Sequence, residues 1–216
     1  MAKRDSPSAQ RNKEPIWNML SAKVLPAIPK KDEPLRVLEI AAGCGVHSHH
    51  FSLQLDQTKT PFLWYPSDPE ESSRASIQAY LDDEPTLKDK LQSPIDVTLH
   101  EDGPTDPNLV NGLTFDLCIC INMIHISPWS ATLGLMNLAG NKLSSGGILF
   151  LYGPYKVNGS AVESNLRFDM SLRSRDPSWG VRNLEDVFAA AEKCGLEHVE
   201  TIEMPANNLS VILRKK

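Results

Sequence analysis

The chain has 216 residues, 41% of them hydrophobic, and carries a formal net charge of -5. That length suits one domain with a substantial core, and an acidic balance without a basic stripe argues against nucleic acid as a partner. The apolar runs are too short to span a bilayer, and Cys44, Cys118, Cys120 and Cys194 form no secreted disulfide framework, so a reducing, cytoplasmic setting is expected.

Residues 1–13, MAKRDSPSAQRNK, are polar and are expected to be a mobile lead-in to a single domain over 14–216. Pro15 can occupy the first turn of a helix in which Ile16, Met19, Leu20 and Val24 recur at helical spacing, with Pro26 and Pro29 ending it. Arg36 to Ile40 is a short apolar strand running into Ala41-Ala42-Gly43-Cys44-Gly45, and a helix follows over Val46 to Leu55. Phe62 to Asp68 is the next strand, followed by a helix over SSRASIQAYL and a weak strand over Ile95 to Leu99. HEDGPTDPNLVNG, residues 100–112, is a loop by its Pro, Gly, Asn and Asp content.

FDLCICINMIHI is the strongest strand signal, nearly continuous in apolar residues, with Cys118 and Cys120 sharing one buried face. A helix is expected from Ser127, with Pro128 just inside it. ILFLYGPY is a further buried strand. Residues 156–182 are polar and charged, contain a helix over Glu163 to Arg173, and are expected to form a lid over a substrate. NLEDVFAAAEKCG is a helix between an Asn183 cap and a Gly195 stop. Two strands, Glu197 to Met204 and Leu209 to Lys215, close the chain around a Pro205–Asn208 turn. Alternating strands and helices predict an α/β fold with a mostly parallel sheet, and the helix-free last pair predicts an antiparallel strand at its C-terminal edge.

The chemistry-bearing residues fall at strand ends. A strand, a glycine-containing turn and a helix build a ligand site at the carboxyl edge of a sheet. Gly43-Cys44-Gly45 lacks the third small residue of the dinucleotide fingerprint, since Ser48 stands there. Asp68 ends the second strand, where a carboxylate can accept from ribose hydroxyls. Asp96 stands at the third strand and Asn122 at the end of the fourth. Cys44, His47, His49 and His50 are metal-ligand types, but they do not converge as four tetrahedral ligands, so no metal is expected. His47 is the one within reach of a ligand at the turn.

VLEIAAGCG, Asp68, Asp96 and FDLCICINMIHIS resemble the motifs of class I S-adenosylmethionine-dependent methyltransferases. RNKEPI, YPSDP, INMIHISPW, GGILFLYGPY, SNLRFDMSLRSRDPSWGVR and MPANN resemble one small family within that superfamily, which includes methyltransferase-like protein twenty-six of animals and bacterial relatives. The resemblance runs from about Arg11 to the end of the chain. It implies a three-layer Rossmann-like methyltransferase fold that binds S-adenosyl-L-methionine. Glu39, Ala41, Gly43 and Gly45 would then hold the cofactor, with Asp68 on the ribose, Asp96 on the adenine side, and Asn122 and Met123 beside them. Cys44 departs from the Ser or Thr expected in such loops.

Methyl transfer is a displacement, in which the protein mainly positions two reactants and excludes water. A base is needed only where the acceptor must lose a proton, and His125, just beyond Asn122, is the expected base. Trp17, Tyr155 and Arg173 are the expected substrate contacts, one lid arginine engaging a carboxylate or phosphate. A small-molecule substrate is expected. Oxygen, sulfur or carbon acceptors are favoured, because Asn122 does not begin the Pro-Pro-aromatic motif of amino-group methyltransferases. A protein methyltransferase, or a cofactor-binding sensor or interaction domain without turnover, fits the same residues. The acceptor and the oligomeric state are left open.

Overall fold

The computed structural model describes residues 2–105 and 112–216. Met1, and the part of the expected 100–112 loop that covers 106–111, lie outside the described residues.

The helix expected from Pro15 begins at Pro7. Helix α1 spans Pro7–Met19, with the Ser6 side chain accepting from the Ala9 amide and Pro7 in the first turn. Most of the lead-in expected to be mobile is therefore ordered helix. Ala9 is buried, and the Arg4 amide donates to Ser76 Oγ at 2.8 Å. Pro15 lies inside the helix rather than at its start. A π-helical turn, Leu20–Val24, and a short 3-10 turn, Leu25–Ala27, complete the segment.

The remaining elements, in order, are β1 (Leu35–Ile40), α2 (Val46–Gln57), β2 (Phe62–Pro66), α3 (Glu71–Asp82), β3 (Leu99–His100), β4 (Gly103–Pro104), β5 (Phe115–Ile121), α4 (Trp129–Lys142), β6 (Leu143–Gly153), α5 (Glu163–Arg175), α6 (Leu184–Lys193), β7 (Leu196–Met204) and β8 (Asn208–Lys215). The main sheet runs β2-β1-β5-β6-β8-β7. Its first four strands are mutually parallel, and β8 is antiparallel to both neighbours, leaving β7 outermost. This is the expected α/β fold with a mostly parallel sheet, the antiparallel strand lying one place in from the edge.

The weak strand expected over Ile95 to Leu99 is not a strand over most of that length. Leu91 and Ile95 make isolated parallel bridges to Trp64 and Ser67, and only Leu99 and His100 pair further, in the small β3–β4 hairpin. Pro94 has no amide proton to extend a ladder. Pro128 precedes α4 as its cap rather than sitting within it.

Side-chain alternation divides the core in two. Leu38, Cys118, Cys120, Leu149, Leu151 and Leu213 pack toward α4 and α6, so both strand cysteines are core residues. Val37, Leu117, Ile119, Phe150 and Ile212 pack toward α1 and α2. Trp17 sits in this second layer, its ring 6.2 Å from that of Phe51. Within the first layer, α4 and α6 are set close. A Cβ on Gly140 of α4 would stand 2.5 Å from the Cys194 carbonyl oxygen at the end of α6. A Gly140→Ala variant should lose about 1–3 kcal/mol by overpacking, read as a lowered urea midpoint with an unchanged slope.

Candidate active site

The carboxyl ends of β2, β1, β5 and β6 lie side by side. Glu39 is level with Pro66 and Ile119, and Ile121 with Tyr152. Strand order reverses between β1 and β5, the place where open α/β sheets form a crevice for ligands.

The turn after β1 is held by its neighbour. The Ala42 amide donates to the Ser67 carbonyl at 2.8 Å, and the Gly43 amide to Asp68 Oδ2 at 2.8 Å. The other carboxylate oxygen of Asp68 accepts from the Glu70 amide at 3.0 Å. Burial pushes the Asp68 carboxyl up, and these donors work against that shift. Ala41 and Gly43 both take left-handed backbone, with φ of 55° and 59°. Gly45 caps α2 at φ 90°, and a Cβ there would lie 3.0 Å from Ile77 Cγ1, so the position requires glycine. Among the described residues, a Cβ on Gly43 would meet nothing within 4 Å.

The expected cofactor residues do not all face that crevice. Glu39 is buried beneath the turn, its Oε2 accepting from Ser48 Oγ at 2.6 Å and Trp64 Nε1 at 2.8 Å. Burial raises its carboxyl to about 7. It braces β1 against α2 and β2. Asp96 has a side chain 61% exposed and pairs with Arg74 at 3.1 Å. Because its strand is missing, it stands at the rim. Asn122 follows β5 in left-handed backbone, φ 61°, with its amide on the Tyr152 carbonyl. Met123 is buried, its sulfur 3.0 Å from Ser127 Oγ.

A cavity of about 840 Å³ adjoins these ends. Asn122, His125, Ile126, Tyr152 and Pro154 line it from the strand ends, Arg11, Asn12 and Pro15 from α1, and Asn165, Phe168 and Arg175 from α5. Asn208, after the β7–β8 turn, closes it. His125 is 5% exposed and meets the Phe168 ring edge-on at 5.5 Å. Burial, then the charges of Arg182 and Arg175, hold its imidazole at about 4.

Three expected substrate contacts stand elsewhere. Trp17 is a core residue against Phe51 and does not line the cavity. Tyr155 is buried among apolar side chains of the opposite layer, and burial drives its phenol up. Arg173 donates to Asp169 and borders a separate cleft with Trp129, Arg182 and Lys193. Tyr152 and Arg175 line the cavity instead. Helical phase carried the information for Arg175, two residues beyond Arg173, but the start and orientation of α5 were needed to use it.

Asp169 fixes α5. It accepts from Lys156 Nζ at 2.8 Å, Arg173 Nε at 3.1 Å and the Val181 amide at 2.7 Å. Burial would raise its carboxyl, but these donors prevail and hold it low. His47, behind the turn, exchanges a 2.8 Å hydrogen bond with Asn12, while His49 faces Glu84 and His50 faces Glu14. Burial holds His47 at about 3.

A family model described as "Protein of unknown function (DUF938)" matches residues 3–215. The chain belongs to this family. Among solved structures, an O-methyltransferase family protein from Burkholderia thailandensis is similar with a TM-score of 0.74 at 12% identity, covering 95% of this chain and 57% of that one. An O-methyltransferase family 2 protein from Planctomyces limnophilus, in complex with apigenin, gives 0.69 at 19% identity, covering 97% and 61%. The chain thus spans about three fifths of these two proteins. Magnesium protoporphyrin IX methyltransferase from Synechocystis, with bound S-adenosylhomocysteine, gives 0.64 at 14% identity, covering 96% and 83%. At these identities the likeness is one of fold.

The buried titratable groups set the stability of the site. Asp169→Ala strands the Lys156 ammonium and the Val181 amide, and should cost about 1.5–3 kcal/mol in urea melts. The histidines make stability depend on pH. His125 and His47 are neutral when folded, but the unfolded chain protonates each below its ordinary value of 6.5. Their contribution is full above that value and lost as pH falls toward about 4 and about 3. Glu39 acts oppositely between 4.5 and about 7, so the measurement must be differential. His125→Gln should reduce the stability lost between about pH 7 and pH 5 by about 1–2 kcal/mol relative to the parent.

Proposed function

We propose that the chain is an S-adenosyl-L-methionine-dependent methyltransferase acting on a small molecule, with an oxygen, sulfur or carbon acceptor. We place it with the relatives of methyltransferase-like protein twenty-six. The observation carrying this reading is the junction between glycine turn and cavity. Asn12 lines the cavity and bonds His47 in the first turn of α2, directly after Gly45. Asn122 lines the same cavity from the strand next to β1. A ligand at the turn and a ligand in the cavity would be neighbours.

The turn fits an adenosine ligand. Gly43 opens toward space, and the Asp68 carboxylate keeps lone pairs beyond those taken by Gly43 and Glu70. When bound, the cofactor supplies an electrophilic methyl group. Ala41–Gly45 and Asp68 would hold it, with Asn122 and Met123 beside them. Glu39 would act by bracing the turn, and Asp96 from the rim. A concavity of about 840 Å³, partly open to solvent, has the size of a small-molecule site. Helix α5, lining one wall, serves as its lid. His125 at about 4 is neutral at pH 7 and a weak base, so it would take a proton only as the new bond forms.

Calorimetry with S-adenosylmethionine and S-adenosylhomocysteine tests the reading. Both should bind, and Asp68→Ala should weaken them by at least about tenfold, roughly 1.4 kcal/mol. No binding of either removes the proposal. Labelled S-adenosylmethionine with a cell extract then identifies the product. Binding with nothing labelled favours the sensor. Once a substrate is known, His125→Ala should lower turnover about 10²–10⁴-fold while leaving S-adenosylhomocysteine affinity intact. An unchanged rate removes His125 as base.

A further inference from the structure

We propose that the cavity between α1, α5 and the ends of β5 and β6 takes a small organic carboxylate, its apolar body against Ile126 and Phe168 and its carboxylate at Arg11 and Arg175. That this compound is the methyl acceptor rests on the methyltransferase reading; the preference for an acid does not.

Charge is the first support. The chain carries a net charge of -5, yet among the described residues no Asp or Glu lines this cavity, while Arg11, Arg175 and four asparagines do. A local cationic mouth on an acidic protein selects anions at that place alone. The second support is the condition of the arginines. Arg167 pairs with Glu163, Arg173 with Asp169, and Arg182 is spent on the carbonyls of Ser127 and Ser178. Among the described residues, Arg11 and Arg175 have no carboxylate within ion-pair distance. Arg175 uses Nε on the Ser171 carbonyl at 3.3 Å and lies 5.7 Å from the Trp179 ring, which leaves the outer edge of its guanidinium for a ligand. A guanidinium matches a carboxylate with two parallel hydrogen bonds.

The third support is apolar. Ile126 and Phe168 are 43% and 37% exposed although both belong to the cavity wall. Large apolar side chains left open within a concavity mark a place that a ligand covers. The adjoining prolines, Pro15 and Pro154, add flat surface without polar demand.

The test titrates the whole chain with 4-hydroxybenzoate, 4-hydroxycinnamate and 6-hydroxy-2-naphthoate, each against its primary amide. Titrations run with and without S-adenosylhomocysteine. At least one acid should bind tenfold or more tightly than its amide. That preference should vanish in an Arg11→Gln, Arg175→Gln double variant and persist in Arg167→Gln. Both cavity arginines are exposed, so the double variant should melt with the parent. No acid preferred over its amide, including no binding by any of them, overturns the proposal, as does a preference that survives the double variant. S-adenosylhomocysteine is titrated separately. Its failure to bind removes the methyltransferase reading and leaves the acid–amide comparison intact. Its binding without acid preference removes the substrate class alone.

Discussion

The grip of the Asp68 carboxylate on the Gly43 amide is the contact on which the rest of the candidate site depends. It ties the end of β2 to the turn after β1, beside the backbone bond from Ala42 to Ser67. With the turn pinned at both places, Ala41 can be held in left-handed backbone, a conformation costing an L-residue about 1–2 kcal/mol. Gly45 then delivers the chain into α2 so closely over α3 that Ile77 leaves no room for a side chain. Glu39 works one layer below, joining β1 to Ser48 of α2 and Trp64 of β2. A buried carboxyl that takes two hydrogen bonds on one oxygen fixes orientation more than it adds stability. Non-glycine residues in left-handed backbone at two adjacent strand ends, Ala41 and Asn122, agree with such strain gathering where a ligand is handled.

A second constraint sets the far wall. Asp169 gathers Lys156, Arg173 and the Val181 amide, so the segment after β6 is anchored at its beginning, its helix and its end. The Gly180 amide on the His125 carbonyl and the Arg182 guanidinium on the Ser127 carbonyl join that segment to the loop after β5. Asn165 reaches the Asn207 carbonyl in the β7–β8 turn. Three loops far apart in sequence thereby hold one another in place around the cavity. On the proposed reading, opening a lid here requires breaking side-chain bonds at the ends of α5 while its Asp169 hub persists.

The sheet was legible in the sequence because its strands are long apolar runs bounded by turn residues. FDLCICI and ILFLYG could not be mistaken for surface segments, and the helix-free pair at the end had to be antiparallel. Errors arose where local signals were weak or competed. Ser-Pro-Ser before AQRN reads as a mobile lead, yet Ser6 and Pro7 together start a helix whose buried face shares a cluster with Phe51 and Leu55. Asp96 reads as a third-strand residue, but of that segment only Ile95 and Leu99 pair, in an isolated bridge and a short hairpin. Side-chain direction was the least accessible property. Trp17, Tyr155 and Arg173 are each within three residues of a cavity-lining neighbour, but period and layer turned them into the core or the opposite cleft. The turn residues were found more easily because backbone conformation, unlike side-chain direction, leaves glycine as its mark.

The electrostatics of the site are divided along the strand ends. On the β2 side stand carboxylates: Asp68 against the turn, with Glu39 beneath it. On the β6 side stand Arg11 and Arg175, with no acid among the described residues of the cavity wall. On the proposed reading the turn receives the cationic cofactor and the cavity an anion, with Asn122 at the boundary between them. His125 is a poor base chiefly because it is buried, and two nearby arginines add to that. Burial disfavours its charged form, and Arg182 and Arg175 disfavour it further. An anionic ligand at Arg175 would cancel part of that repulsion and leave a neutral imidazole better able to accept a proton. On the proposed reading, the acid that fills the cavity would thus be more than cargo, since its own charge would ready the group that faces it.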